Sequence, residues 1–391
     1  MSPRNIAGQV VRGKDLWGRS AELDELWRKV ERGSVLLAAP RRYGKSSLMY
    51  GMVDGPRPGW DVVYLNVEYV ESPAELATEL AARILAHRAG RRILSRVQQL
   101  PGVLQRWFAG IVEEVGVGVP DVGEIKLKLR AQAPEDWRAA LEPLWRLVAE
   151  GEPRILVILD ELPVMVATLL DRDHDAALRF LHWFRALRQE GGRFLLGGSV
   201  NIEALLSGYG QSALLNDLER VRLLPFTPER REEFVRAVLE GEGQAPADRK
   251  VPAQIAAALD SGVPFFLQVY LDELLTECRR RSVIPTAALA ELVLQDAVLG
   301  PRCVGRFDHY LGRLRSYGRL ETAAREVLHE VSGDRPVHVS RMVELAGLDA
   351  GRVVALLESD WYVERDGDII RFADGFVRRW WRRNAPMGRR S

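Results

Sequence analysis

Residues Ala39 to Ser46 read A-x-x-x-x-G-K-S, a spacing that gathers groups able to hold a polyphosphate. Lys45 brings a compact positive charge for the outer phosphates. Ser46 brings a hydroxyl that suits a hard cation such as Mg2+, and Ser47 a second hydroxyl less well set for the metal. Gly44 lets the main chain run close to phosphate oxygens. Pro40, Arg41, Arg42 and Tyr43 complete a loop whose successive amides would point inward, with the positive end of the next helix behind them. The first position departs from the common pattern, since Ala39 stands where glycine is expected. Arg41 and Arg42 stay open between a phosphate contact, a neighbouring subunit and plain solvated charge.

The run Arg154-Ile-Leu-Val-Ile-Leu-Asp-Glu-Leu-Pro163 is aliphatic throughout and ends in two carboxylates. Such a run suits a parallel strand covered on both faces, and ligands collect beyond the C-terminal ends of such strands. Asp160 is the expected Mg2+ ligand, directly or through water, and Glu161 the expected general base toward an attacking water. A third run, Gly192 to Asn201, ends in Ser199 and Asn201. These polar groups either sense the outer phosphate or position water, or Ser199 simply caps a helix. Together the groups point to hydrolysis of a nucleoside triphosphate.

The elements that must position them follow from periodicity and punctuation. A buried strand leads into the loop, and a helix begins near Lys45. Upstream, Ser20 is expected to cap a helix over 21–30, and Val11 and Trp17 either pack on adenine or belong to the core. A strand is predicted over Trp60–Glu68, then a helix opened by Ser72-Pro-Ala-Glu75 and running to about Ala89. Residues 91–133 read poorly; alternation near 115–130 suggests a β-hairpin. Helices are predicted from Pro134 to near Glu150 and over Ala176–Gln189, with strands at 192–201 and 221–225. Thr227-Pro228 opens a helical region reaching about Gly318. Helices at 321–331, 340–346 and 350–358, then a hairpin turning at Asp366-Gly367, predict a winged helix-turn-helix.

Composition sets outer bounds. A chain of 391 residues, 47% hydrophobic and 28% charged, is expected to form two or three soluble domains. A net charge of +1 gives no broad field for nucleic acid or membrane. Two cysteines, Cys278 and Cys303, are too few for a disulfide framework or a cysteine zinc site, and the six histidines lack metal-ligand spacing. With neither a signal-peptide core nor a membrane-spanning run, a cytoplasmic protein is the expectation.

Four motifs in this order carry a family resemblance: Asp15-Leu-Trp-Gly-Arg19 with Glu22, Ala39-Pro-Arg-Arg-Tyr-Gly-Lys-Ser-Ser-Leu48, Leu159-Asp-Glu-Leu-Pro163 and Leu196-Gly-Gly-Ser199. The chain resembles the AAA+/STAND division of P-loop ATPases, in particular the prokaryotic archaeal-ATPase-like clade, where A-P-R-R-x-G-K-S is the usual loop. The resemblance implies an α/β fold: a P-loop NTPase parallel sheet, a helical lid and a C-terminal winged helix-turn-helix. The corresponding domains are 1–226 with an insertion at about 91–133, 227–318, and 319–391. It implies ATP and Mg2+ as cofactors and a slow ATPase activity. Ser199 takes a sensor position, and Ser261-Gly-Val-Pro264 resembles the lid's G-x-P motif, putting Pro264 near the nucleotide. No arginine finger stands out; Arg220, Arg185 and Arg188 are candidates.

The function expected from this is a switch, with ATP bridging sheet domain and lid and so governing assembly or the docking of a protein partner not named by the sequence. A homo-oligomer fits that scheme, and a membrane has no part in it. The alternative is a DNA-acting ATPase that uses Arg371, Arg378, Arg379, Arg382, Arg383, Arg389 and Arg390 around Trp380 and Trp381. Against it stand the near-neutral charge and a recognition-helix candidate, 350–358, whose one basic group is Arg352. A non-hydrolysing scaffold is disfavoured by Glu161, for which mere binding has no use.

Overall fold

A computed structural model describes residues 2–87, 107, 136–149, 151–199 and 201–385. The expected hairpin near 115–130, and Arg389 and Arg390, lie outside these residues. The chain packs as two units, one of residues 19–41 and 45–223, the other of residues 1–18, 42–44 and 224–391.

The first unit is built on a five-stranded sheet. Its strands are β1 (Val35–Ala38), β2 (Trp60–Asn66), β3 (Arg154–Asp160), β4 (Arg193–Gly197) and β5 (Glu219–Arg222), in the order β2-β3-β4-β1-β5. Every pairing is parallel. Helix α1 (Ser20–Val30) precedes β1, and the crossovers that parallel neighbours need are supplied by helices α2 (Lys45–Asp54), α3 (Pro73–Ala86), α4 (Trp137–Ala149), α5 (Leu162–Arg172), α6 (His174–Gln189) and α7 (Ile202–Gly208). Helices on the sheet explain why β3 is buried from Ile155 to Asp160 without alternation. Trp145 of α4 stacks on Phe194 of β4 at 4.8 Å, and Phe184 of α6 meets the same ring edge-on at 4.7 Å.

Local chemistry accounts for most boundaries. Ser72 accepts the Glu75 amide at 3.1 Å with Pro73 opening α3, as its sequence predicts. Ser20 differs: it is the first residue of α1, behind Arg19 at the cap, and Arg19 instead pairs with Glu22 at 2.7 Å. Helix α5 is not foreseen, because Leu162-Pro163 reads as the end of a strand. Proline is at home there, in a first turn where its missing N–H is no loss.

The second unit holds α8 (Pro228–Gly241), α9 (Val251–Leu259), α10 (Pro264–Arg281) and α11 (Ala287–Val293), then short helical turns up to Leu320. It continues with α12 (Glu321–Val331), β6 (Val337–His338), α13 (Val339–Ala346), α14 (Ala350–Ser359), β7 (Val363–Asp366), β8 (Ile369–Phe372) and α15 (Gly375–Asn384). The three short strands form an antiparallel sheet in the order β6-β8-β7. Asp366 pairs with Ile369, so the turn residues are Gly367-Asp368, one place later than expected. Gly367 has φ 58°, and glycine at the first central position suits a tight hairpin turn. Residues 227–318 and 319–385 share one core: the Phe376 ring centroid lies 4.8 Å from that of Phe266 and 5.1 Å from that of Phe307.

Trp380 and Trp381 are fully enclosed in that core. The neighbouring arginines are engaged within the unit: Arg382 with Asp334 at 2.8 Å, Arg371 with Glu364 at 2.7 Å, Arg383 with the Gln295 carbonyl at 2.7 Å, and Arg379 with the Ala258 carbonyl at 2.7 Å. Among the described residues no helix is long and apolar enough to cross a membrane.

Candidate functional site

The loop between β1 and α2 takes positive φ at Arg42 (73°) and Gly44 (92°). This explains the departure at Ala39: the left-handed turns fall later, and glycine is needed only where the chain bends most. Lys45 opens α2, so the amides of that first turn have no partner within the helix. Its side chain is buried, and its ammonium donates to the Ala39 carbonyl at 2.7 Å and the Pro40 carbonyl at 2.8 Å. Ser46 follows, half-buried, and Ser47 is buried.

The end of β3 comes to meet this loop. Ser46 Oγ donates to Asp160 Oδ2 at 2.7 Å, across 114 residues of sequence. Asp160 is 1% exposed. A second donor reaches the same oxygen: Tyr64 Oη of β2, at 2.9 Å. The Glu161 amide donates to Oδ1 at 3.1 Å. Tyr64 lies over Tyr50 of α2 with ring centroids 4.5 Å apart. Burial, and then the charge of Asp160, push the Tyr64 phenol well above its ordinary range, so it stays a donor. Nothing in the sequence pattern marked Tyr64, whose place in a strand needs no further reason.

Glu161 sits in the left-handed region at φ 61°. One of its oxygens, Oε2, accepts both the Ser199 amide at 2.8 Å and the Ser199 hydroxyl at 2.9 Å. Ser199 follows β4, whose end approaches its neighbours too closely for side chains. A Cβ on Gly198 would lie 2.4 Å from Pro163 Cδ, which accounts for the glycine in Leu196-Gly-Gly-Ser199. The helix cap in this stretch is Asn201, which accepts the amides of Glu203 at 3.0 Å and Ala204 at 3.1 Å. Asn201 is therefore spent on α7, and Ser199 is not its cap.

Lys45, Ser46, Asp160, Glu161 and Ser199 are thus brought together in the first unit, with Pro40 supplying a carbonyl. Arg41 is exposed in the same unit. Ser47 and the arginine candidates also belong to the first unit, whereas Arg42, Tyr43, Gly44, Val11, Trp17 and Pro264 group with the second. Arg42 lays its guanidinium 4.3 Å from the Phe265 ring centroid and donates to the Gly8 carbonyl at 3.3 Å. Tyr43 is buried with its ring 6.2 Å from Trp361. Trp17 packs between Phe234 at 5.5 Å and Phe226 at 5.9 Å, and Val11 is buried. Pro264 opens α10, and Ser261 three residues earlier donates to Asp374 at 2.5 Å.

The arginine candidates are engaged. Arg188 holds Asp217 in a two-pronged pair at 2.7 and 2.9 Å with its side chain enclosed. Arg185 also approaches Asp217, and Arg220 pairs with Glu203 at 2.6 Å.

The donor set can be tested against the groups it would hold. No cluster of three or more His, Cys, Asp or Glu able to hold a metal occurs among the described residues. One hydroxyl and one carboxylate, both oxygen donors, fit Mg2+, which keeps most of its waters and leans on phosphate oxygens. Because carboxylate oxygens only accept, the Ser46 proton points at Asp160 and its lone pairs are left for a cation. The Lys45 ammonium, resting on two loop carbonyls, can exchange them for phosphate oxygens. The residues present fit a magnesium-bound triphosphate.

No family model matches the chain, and no curated protein matches it. Solved structures do. A Walker-type ATPase of Pyrococcus abyssi superposes with a TM-score of 0.62 at 16% identity, covering 98% of this chain and 99% of that one. The ORC2 protein of Aeropyrum pernix, determined in ADPNP-ADP complexes, gives a TM-score of 0.53 at 14% identity, covering 95% and 93%. Over nearly its whole length, the chain shares the α/β fold of these two proteins, built on a parallel sheet.

Proposed function

We propose that this protein binds ATP with Mg2+ and hydrolyses it slowly, as a STAND-type switch whose nucleotide state governs assembly or the docking of a protein partner. The observation that carries the proposal is the 2.7 Å bond from Ser46 to Asp160, made by two distant stretches at the mouth of a phosphate loop. The A. pernix relative in fold, determined in ADPNP-ADP complexes, adds support for an adenine nucleotide.

Lys45 takes the outer phosphates, and the loop amides of 41–46 take the rest. Magnesium, when bound, would neutralise charge on the β- and γ-phosphates, with Ser46 and Asp160 holding it. Glu161 accepts the proton of the attacking water. Ser199 fixes the Glu161 carboxylate, and as a sensor it would turn its hydroxyl proton from Glu161 to the γ-phosphate while its amide keeps hold of Glu161. Pro264, with Val11 and Trp17, stays in this reading as part of the adenine-side environment, and Arg41, Arg42 and Tyr43 as loop residues around the phosphates. The segment 321–372 is read as a winged helix that serves as an intramolecular element. A cytoplasmic setting and a homo-oligomer go with this function.

The DNA-acting alternative draws less support, since Arg371, Arg379, Arg382 and Arg383 are all engaged within the unit. ATP turnover by the wild type, together with a change in mass by light scattering between ADP and a non-hydrolysable ATP analogue, tests the switch. Absence of magnesium-dependent nucleotide binding would overturn it. Duplex binding in low salt would bring back the alternative.

A further inference from the structure

We infer that Tyr64 is a positioning residue for the metal site: its hydroxyl sets the orientation of the Asp160 carboxylate and so the affinity for Mg2+. This rests on the reading of Ser46 and Asp160 as the metal pair.

Asp160 is pinned by three donors. Ser46 Oγ and Tyr64 Oη converge on Oδ2 at 2.7 and 2.9 Å, and the Glu161 amide holds Oδ1 at 3.1 Å. Two of these carry other duties. Ser46 must present lone pairs to the cation, and the Glu161 amide belongs to a left-handed residue that bears the proposed base. Tyr64 is the donor with no duty toward substrate. Its place is also stiffly set. It lies on β2 two residues before Asn66, which pairs with Asp160 in the parallel register, so Tyr64 and Asp160 share a face of the sheet. Its ring is backed by Tyr50, one helical turn after Ser46 on α2. The loop helix and both strands therefore meet at one carboxylate oxygen. A carboxylate held by all three donors stays put as the cation arrives; without Tyr64, Oδ2 keeps only the bond from Ser46, whose hydroxyl also faces the cation, and the cation must do more of the ordering. Loss of such an outer partner typically weakens a metal site about 10–100-fold.

Tyr64→Phe tests this, because it keeps the ring and its packing on Tyr50 while deleting the donor. The measurement is calorimetric binding of ADPNP to the full chain across a Mg2+ series, for wild type, Tyr64→Phe and Asp160→Asn. The expected result is that Tyr64→Phe raises the Mg2+ concentration for half-maximal enhancement about tenfold. Its ADPNP affinity in EDTA should match wild type, which a merely structural role would not preserve. If Asp160→Asn raises the Mg2+ requirement and Tyr64→Phe shifts it less than about twofold or lowers it, the role of Tyr64 is overturned and the metal pair stands. If Asp160→Asn leaves the Mg2+ dependence of wild type intact, the metal pair is wrong and the inference falls with it.

Discussion

Two serine–aspartate pairs, one in each unit, look alike and differ in what surrounds them. Asp160 accepts from Ser46 at 2.7 Å, and Asp374 accepts from Ser261 at 2.5 Å. The difference lies in what else each carboxylate serves. Asp374 is the cap of α15, where it accepts the Val377 amide at 3.0 Å, while Ser261 in turn accepts the Val263 amide at 3.1 Å at the start of α10. Asp374 closes the start of α15 and Ser261 braces Val263, the cap residue of α10, so the pair is accounted for by architecture. At Asp160 one donor is the amide of Glu161, the cap residue of α5, but the other two are the Ser46 hydroxyl and the Tyr64 phenol, and neither caps a helix. A buried serine–aspartate bond is thus not itself a sign of chemistry; the sign is a pair whose members have no structural debt to settle.

The strongest test of that contrast is beside Asp160. Glu161→Gln should lower ATP turnover by about 10²–10⁴-fold while nucleotide affinity and melting temperature hold, measured by phosphate release and calorimetry. Full turnover in this variant would move the base elsewhere and weaken the case for chemistry at the end of β3. Lys45→Ala should cost about 100-fold or more in ATP-analogue affinity, on the scale of removing one partner from a buried charged contact.

A crossed pair of substitutions sharpens the comparison directly. Asp160→Asn should raise the Mg2+ requirement of analogue binding at least about tenfold with little change in melting temperature. Asp374→Asn should leave the Mg2+ requirement alone, since asparagine is also a good cap. If both variants changed the Mg2+ requirement, the division between site and scaffold would be wrong.

The smallest expected effect is a pH slope. Desolvation pushes the Asp374 carboxyl up to about 6, against the bond from Ser261, which lowers it. The folded chain then keeps a proton that the unfolded chain releases, between its ordinary value near 4 and about pH 6. Stability from this group is full below pH 4 and is lost as pH rises through 6. Asp374→Asn should remove that slope, so that the variant's melting temperature gains on wild type between pH 4 and 7 by roughly 5 °C. Parallel melting curves would dissociate this group from the pH response.

What could be read in advance follows the same divide. The loop 39–46, the acidic strand end and the Ser72 cap are local patterns, in which a few neighbouring residues specify both shape and chemistry. The phenol of Tyr64 could not be read so, because its partner arrives through the pairing of β2 with β3. Alternation says that a residue is inside a sheet, not which distant carboxylate its hydroxyl will meet. Asn201 and Ser199 sit two residues apart, and either could have been the cap; the close approach at Gly198 decides which one faces Glu161. The hairpin register moved by one residue because Asp-Gly and Gly-Asp are both good turns, and Gly367 takes the position that requires positive φ. Residues 42–44 group away from the rest of their own loop, a division that only tertiary packing creates.

The backbone at position 161 is one that glycine enters freely and that a residue with a Cβ enters at an expense of about 1–2 kcal/mol. The side chain offsets part of that expense by taking the Ser199 amide and hydroxyl. Glycine at this position would relieve the backbone while leaving both Ser199 donors without that acceptor, and, in the function proposed, would leave the site without its base.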